Sequence, residues 1–268
     1  MSLYTVVLSL YRYINSDNMS DACKIAIISD FDGTVTLQST VKYFIEAAAE
    51  SYPPAEREKY LKYFEDLSKS YTEEKRGIVF DSDISESLES ILYIYDNLEI
   101  KYSAYVDTLL NGLSIDRLYE RVEEIEPQKG FSQFYNSIDS NNVDFVIDSL
   151  GWSEGFIKRF FTEYFVDIPK NIYANKLDIS NGTVCGVNLR LITSDDKRYF
   201  FRKSVAETKV DISICVGDDI SDLRAMIEAD YAYTISPSEE LSYLINRYKL
   251  DIKQIATWEE VIICQEVP

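Results

Sequence analysis

Residues 24–29 read KIAIIS, and residues 30–34 that follow them read DFDGT. A short apolar run without polar alternation suits a strand buried on both faces, and such strands belong to parallel sheets whose crossovers are helices. That single strand narrows the chain to an α/β architecture. It also poses a problem, because the strand stops at two like charges, Asp30 and Asp32, followed at once by Gly33 and Thr34.

Further strand-like runs lie at 143–149, 172–178, 183–192 and 212–216, with a weaker one at 231–235. Ser180-Asn181-Gly182 joins two of them as a hairpin, since Asn-Gly supplies the positive φ angles of a tight turn. Helical patterns at 153–165, 197–209, 219–229 and 238–248 separate most of the others. From about 40 to 136 the pattern is helical throughout. There Leu88, Ile91, Leu92 and Tyr95 follow Asp83 and Glu86, spaced as a capping box, and Ile115, Leu118, Val122 and Ile125 follow Ser114 and stop before Pro127. The expected organisation is an α/β core over 23–39 and 137–268, interrupted by a helical module over 40–136 and preceded by an extension over 1–22. The segment beginning at Met19, MSDACKIAIISD, runs almost directly into the first strand, so Met19 is a candidate start.

Charge and composition exclude several functions. With 27 basic and 46 acidic residues the formal charge is −19, which repels phosphate backbones, so nucleic acid is not an expected partner. Histidine is absent, which removes every His-based triad, His–metal site and imidazole proton shuttle. No apolar stretch approaches the length of a membrane span, and the first 18 residues lack a basic leader and a small-residue cleavage site. Cys23, Cys185, Cys215 and Cys264 are scattered with no CxxC pair, and are read as buried thiols of a reducing, cytoplasmic compartment.

In open α/β sheets ligands settle beyond the carboxyl ends of the strands. Asp30 and Asp32 end one strand, Ser149 ends another with Gly151 just beyond, and Gly217, Asp218 and Asp219 end a third, with Asp222 following. Each residue alone also reads as a turn former or helix cap. Together, three or four carboxylates on one sheet edge, without a histidine or an evident arginine, call for a cation, and oxygen-only ligands select a hard one such as Mg²⁺. SDDKRYFF offers Ser194 or Asp195 as a helix cap and puts Lys197 in the first turn, where a cation opposes the helix dipole unless an anion binds. Lys197 also reads as a solvated surface charge beside Arg198 and Lys203.

DFDGT at 30–34, a strand-ending serine at 149, a helix-opening lysine and GDDISD at 217–222, in that order, resemble the four motifs of the haloacid dehalogenase superfamily of phosphatases and phosphotransferases. The resemblance covers about 24–36 and 143–236. VIDSLGWSEGFI and NIYANKLDISNGTVCG are similar to the branch containing phosphoserine phosphatase, in which a helical cap separates the first two motifs. It implies a doubly wound, Rossmann-like core with a helical cap. It implies Asp30 as nucleophile forming an aspartyl phosphate, and Asp32 as the acid and then base. Ser149, Leu150 and Lys197 would bind the phosphoryl group, with Lys203 the alternative lysine. Mg²⁺ would be held by Asp30, the backbone carbonyl of Asp32 and Asp218, with Thr34, Asp219 and Asp222 in support. The implied substrate is a small phosphate ester. Ser39 stands where phosphoserine phosphatases carry an acidic residue for the substrate amine, which turns the expectation away from phosphoserine. A phosphotransferase or mutase shares the first half-reaction, and a phosphate-sensing or partner-binding module could keep the pocket without turnover. A two-component receiver domain also groups aspartates, a hydroxyl and a lysine, but the helical insertion and the DxD order oppose it. The 21 tyrosines could pack helices or line a substrate cavity.

Overall fold

The computed structural model describes residues 23–83 and 85–261. The extension over 1–22, the candidate start at Met19, and Cys264 lie outside the described residues. Six strands form the main sheet: β1 (Ile25–Ser29), β2 (Val143–Asp148), β3 (Asn171–Tyr173), then β6 (Ile212–Gly217), β7 (Tyr231–Ile235) and β8 (Lys253–Ile255). Their spatial order is β3-β2-β1-β6-β7-β8 and every pairing is parallel. The chain first builds outward from β1 through β2 and β3, then returns to β1 and builds through β6 on the other side. The order therefore reverses at β1, and this doubly wound layout opens a crevice at the carboxyl ends of β1, β2 and β6.

Alternation along the strands divides the core. Ile25, Ile27, Phe145, Ile147, Ile214 and Val216 pack on one face with Phe131, Phe156, Phe160, Phe161 and Trp258. Ala26, Ile28, Val146 and Cys215 pack on the other with Phe201, Ala225 and Met226.

The helices are α1 (Val41–Ala49), α2 (Pro54–Phe80), α3 (Leu88–Ser103), α4 (Val106–Leu110), α5 (Ile115–Glu120), α6 (Phe131–Asn136), α7 (Glu154–Tyr164), α8 (Ser194–Thr208), α9 (Leu223–Glu228) and α10 (Glu239–Tyr248). Helices α2 and α3 form an antiparallel pair, in which Tyr71 meets Glu99, Glu74 meets Lys101 and Lys75 meets Tyr95. Val79 of α2 and Ile91, Leu92 and Tyr95 of α3 bury against Ile220, Leu223, Leu241 and Leu244. No helix among the described residues is long and apolar enough to cross a membrane.

Several local expectations are revised. The run 172–178 is not one strand: it breaks at Ala174-Asn175 into β3 of the main sheet and β4 (Lys176–Ser180) of a separate antiparallel pair with β5 (Thr183–Asn188). Asn175 is buried and spends its side chain on loop carbonyls and amides, which a continuous strand would not allow. The run 183–192 likewise ends as a strand at Asn188. The turn at Asn181 and Gly182 has the expected positive φ angles, 51° and 79°. Its hairpin joins the helical module, because the amide of Gly112 donates to the carbonyl of Val184 (2.8 Å) and that of Val184 to Leu113 (2.9 Å).

Asp83 and Glu86 hydrogen-bond to each other, but they close a turn ahead of α3, whose cap is Ser87. Helix α8 is capped by Thr193, not Ser194 or Asp195, because Asp196 then stands at the third position and completes a reciprocal box. The run 219–229 begins with a 3₁₀ turn at Ile220–Asp222 before α9. Cys215 is buried and Cys23 half-buried, but Cys185 is exposed on the outer face of β5.

Candidate active site

Between Asp30 and Asp32, Phe31 is driven into the core, where its ring meets that of Phe160 edge-on at 5.2 Å. The two flanking carboxylates are left on the opposite side, toward the crevice. The turn then closes with the amides of Val35 and Thr36 donating to the carbonyl of Phe31. Gly33 has φ +74°, and a Cβ there would lie 2.2 Å from Oδ2 of Asp218. This position requires glycine twice over, for its backbone angle and for the approach of a carboxylate from β6.

Asp30, Thr34, Lys197, Asp218 and Asp222 lie together, and Asp32 and Ser149 lie close to Gly151. Lys197 is buried and donates from Nζ to Oδ1 of Asp30 (2.7 Å) and to Oδ1 of Asp222 (2.6 Å). It is not a solvated charge. Asp30, Asp218 and Asp222 offer carboxylate oxygens within 4.8 Å of one another. Thr34 donates from its hydroxyl to Oδ1 of Asp218 (3.2 Å). Asp32 accepts from the amide of Thr40 (2.5 Å). A Cβ on Gly151 would lie 3.0 Å from Oγ of Ser149 and 3.7 Å from Oδ2 of Asp32, so the missing side chain of Gly151 lets these two groups come close to its backbone. Leu150 lies between Ser149 and Gly151, its carbonyl held by Asn175.

Lys203 is not in this group: it is a half-exposed side chain over the ring of Tyr173, near Glu207. Asp219 turns away as well, toward Lys75 of α2 and the hydroxyl of Ser238.

Electrostatics follow from crowding. Burial, reinforced by the charges of Asp30 and Asp222, raises Asp218 far above the ordinary carboxylate range. Burial also raises Asp30, with Lys197 opposing, and Asp32. Asp222 is pushed up to about 6 by burial despite its contact with Lys197. Lys197 resists its own desolvation because Asp222, Asp30 and Asp148 surround it, and its net shift is strongly upward. Asp148, the last residue of β2, is buried with neither carboxylate oxygen hydrogen-bonded, and burial raises it far above the ordinary range.

The oxygens of Asp222 are already committed, Oδ1 to Lys197 and Oδ2 to the amides of Asp218 and Asp219 (3.2 Å each). Asp30 and Asp218 are thus the side chains with oxygen capacity left for a metal. The all-oxygen donor set and the excess of negative charge fit Mg²⁺.

Four residues absent from the motif reading hold these loops. Asn175 donates to the carbonyls of Leu150 (3.0 Å) and Leu191 (2.8 Å) and accepts from the amides of Arg190 (2.7 Å) and Leu191 (2.9 Å), tying the Ser149 loop to the approach to α8. Gln128 donates to the carbonyl of Gly33 (3.0 Å) and Trp258 to that of Thr34 (2.7 Å). Asp96 of α3 accepts from both the amide and the hydroxyl of Ser194 (2.8 Å each), fixing the start of α8.

No protein-family model matches the chain, and no curated protein matches it in sequence. Solved structures do resemble it. A phosphoserine phosphatase captured as a phospho-aspartyl intermediate analogue superposes with a TM-score of 0.58 at 16% identity, over 87% of this chain and 93% of that one. A HAD family hydrolase from Salmonella enterica serovar Typhi gives 0.58 at 14% identity, over 87% of this chain and 68% of that one. A cytosolic 5'-nucleotidase IIIB bound to cytidine gives 0.59 at 16% identity, over 92% of each chain. Identities this low speak to architecture alone. The chain shares the overall architecture of these phosphoserine phosphatase, HAD family hydrolase and 5'-nucleotidase structures.

Proposed function

We propose that this protein is a Mg²⁺-dependent phosphomonoesterase acting on a small phosphorylated metabolite. The observation that carries the reading is the convergence of Asp30, Asp218, Asp222 and Lys197 from three separate segments, with Asp32 and Ser149 both close to Gly151 at the same sheet edge.

Asp30 is the nucleophile. Its oxygen forms the new bond to phosphorus as the ester oxygen departs, which leaves an acyl phosphate on the enzyme. Asp32, whose raised pKa lets it hold a proton nearer neutrality, protonates the leaving oxygen. In the second step it takes a proton from water, which displaces Asp30 and releases inorganic phosphate. Lys197 and the hydroxyl of Ser149, with the backbone at Leu150, compensate the phosphoryl oxygens. Asp30, the carbonyl of Asp32 and Asp218 would hold Mg²⁺, which supplies charge neutralisation that lets an anionic ester approach a carboxylate. Asp222 anchors Lys197 and the loop behind Asp218. Helices over 40–136 are the cap domain, and the substrate lacks the amine that phosphoserine presents, since Ser39 offers it no charge.

Release of phosphate from an aryl phosphate tests the reading. We expect turnover that requires Mg²⁺, is removed by chelation, and falls at least about 10³-fold in Asp30→Asn. Turnover indifferent to both would overturn it, and a stable phosphoenzyme without release would favour a sensing role.

A further inference from the structure

Helix α2 is largely exposed: of its 27 residues only Val79 is buried. Lys75 breaks that rule in a particular way. Its side chain is 11% exposed, against 74% for Lys69 on the same helix, and Nζ donates to both oxygens of Asp219 at 2.7 Å. The ring of Tyr95 lies 5.9 Å beneath the ammonium.

Asp219 is covalently next to Asp218, and the two carboxylates face opposite ways. Asp218 turns toward Gly33 and Thr34, whereas Asp219 turns to Lys75 and accepts from Ser238 (2.8 Å). The amide of Ser238 in turn donates to the carbonyl of Asp218 (2.8 Å). One carboxylate is thereby withdrawn from the crowd and neutralised by a residue more than a hundred positions earlier. The hairpin that delivers the lysine is itself fixed, by the Asp96–Ser194 bonds and by Arg224, which donates from Nε to Ser194 (3.0 Å) and pairs with Glu89.

We infer that Lys75 is a positioning residue that sets the metal affinity of the site, by holding Asp219 out of the cation's reach and cancelling its charge. The inference rests on the metal-dependent reading above. Without Lys75 the site gains a net negative charge next to Asp218, and a divalent cation binds more tightly. Without the Asp219 carboxylate an uncompensated ammonium remains, and the cation binds more weakly. The two substitutions therefore move affinity in opposite directions, which a purely structural role for the pair does not predict.

The test is Mn²⁺ binding to the full chain, followed by electron paramagnetic resonance in the absence of substrate, with Mg²⁺ as competitor. Lys75→Met should tighten binding at least about threefold and Asp219→Asn should loosen it by a similar factor. The double variant should lie between them, and Lys75→Arg should stay near the parent. Unchanged or weaker binding in a folded Lys75→Met overturns the inference. Should that variant fail to fold, Asp219→Asn alone decides, looser binding supporting the inference and unchanged binding overturning it. A parent chain that binds neither ion overturns the metal-dependent function, and this inference with it. A parent that binds while Lys75→Met does not shift it overturns only the inference.

Discussion

The strand-end loops and the α2–α3 hairpin treat their carboxylates in opposite ways. At the end of β6, Asp218 faces the loops of β1, where burial and two neighbouring carboxylates raise its pKa far above the ordinary range. One residue on, Asp219 faces the hairpin. Burial raises it too, but Lys75 outweighs that and holds it below the ordinary range. The same backbone segment thus carries an unsatisfied charge toward the crevice and a satisfied one toward the flank. The proposed cation site needs the first to stay unsatisfied, because a carboxylate already paired with lysine has little to offer a cation. The second has no such duty and is closed off.

The sharpest way to break that comparison is at Lys197, which bridges the carboxylates of Asp30 and Asp222. Lys197→Ala strips the cation from Asp30 and Asp222, both buried. Activity should fall about 10²- to 10³-fold, and the metal-free fold should lose roughly 3–5 kcal/mol. Lys203→Ala removes only a half-exposed charge stacked on Tyr173 and should change stability by no more than about 1 kcal/mol. Parallel kinetics and urea unfolding of the two variants check this, and a larger effect at Lys203 would transfer the phosphate-binding role to it.

The loop side of this contrast was open to sequence reading because its information is local. An apolar run announces each strand, and the residues after it are then the crevice. Ser149 and Asp218 could be placed in this way without knowing what they touch. For Lys197 the disagreement with the helix dipole leaves a solvated charge an equal reading, and only the family resemblance favours Lys197 over Lys203; in the structure two carboxylates receive it. The hairpin side carries no such mark. Lys75 sits among Lys69, Glu73, Glu74 and Arg76 on a strongly polar helix, and periodicity reads it as solvated. Its partner lies 144 residues away, and only the packing of Val79, Ile91 and Leu92 on Ile220 and Leu223 brings the two together. Asn175 was hidden differently. Lying within the strand-like run 172–178 it reads as strand interior, whereas its amide serves two loops that the linear order does not show to be neighbours.

Asn175 gives the next test, because it is the stitch between two legible loops. Asn175→Ala leaves the carbonyls of Leu150 and Leu191 and the amides of Arg190 and Leu191 without that partner. Roughly 2–4 kcal/mol of stability should be lost, and turnover should fall further than substrate binding as Ser149 and Lys197 drift apart. Thermal unfolding and a separation of kcat from KM check both halves. If stability falls while kcat holds, the stitch serves the fold alone.

The smallest effect, and the most direct reading of charge excess at the crevice, is the pH dependence of stabilisation by Mg²⁺. Asp222 titrates at about 6 in the folded chain against an ordinary value of 3.8, and Asp218 is raised in the same sense. Between those two values the native state holds protons that the unfolded chain has released. Raising the pH through this window therefore destabilises the metal-free protein, the reverse of a salt-bridged aspartate. Asp219, shifted downward, contributes a slope of the opposite sign that fades as the pH rises above its ordinary value. A cation competes with the bound protons and relieves the repulsion they mask. The gain in melting temperature on adding Mg²⁺ should thus be larger at about pH 8 than at about pH 5, by a few degrees or on the order of 1 kcal/mol. Equal gains at both would mean that the crevice carboxylates are as well compensated as Asp219, and the contrast between the two sides of this loop would disappear.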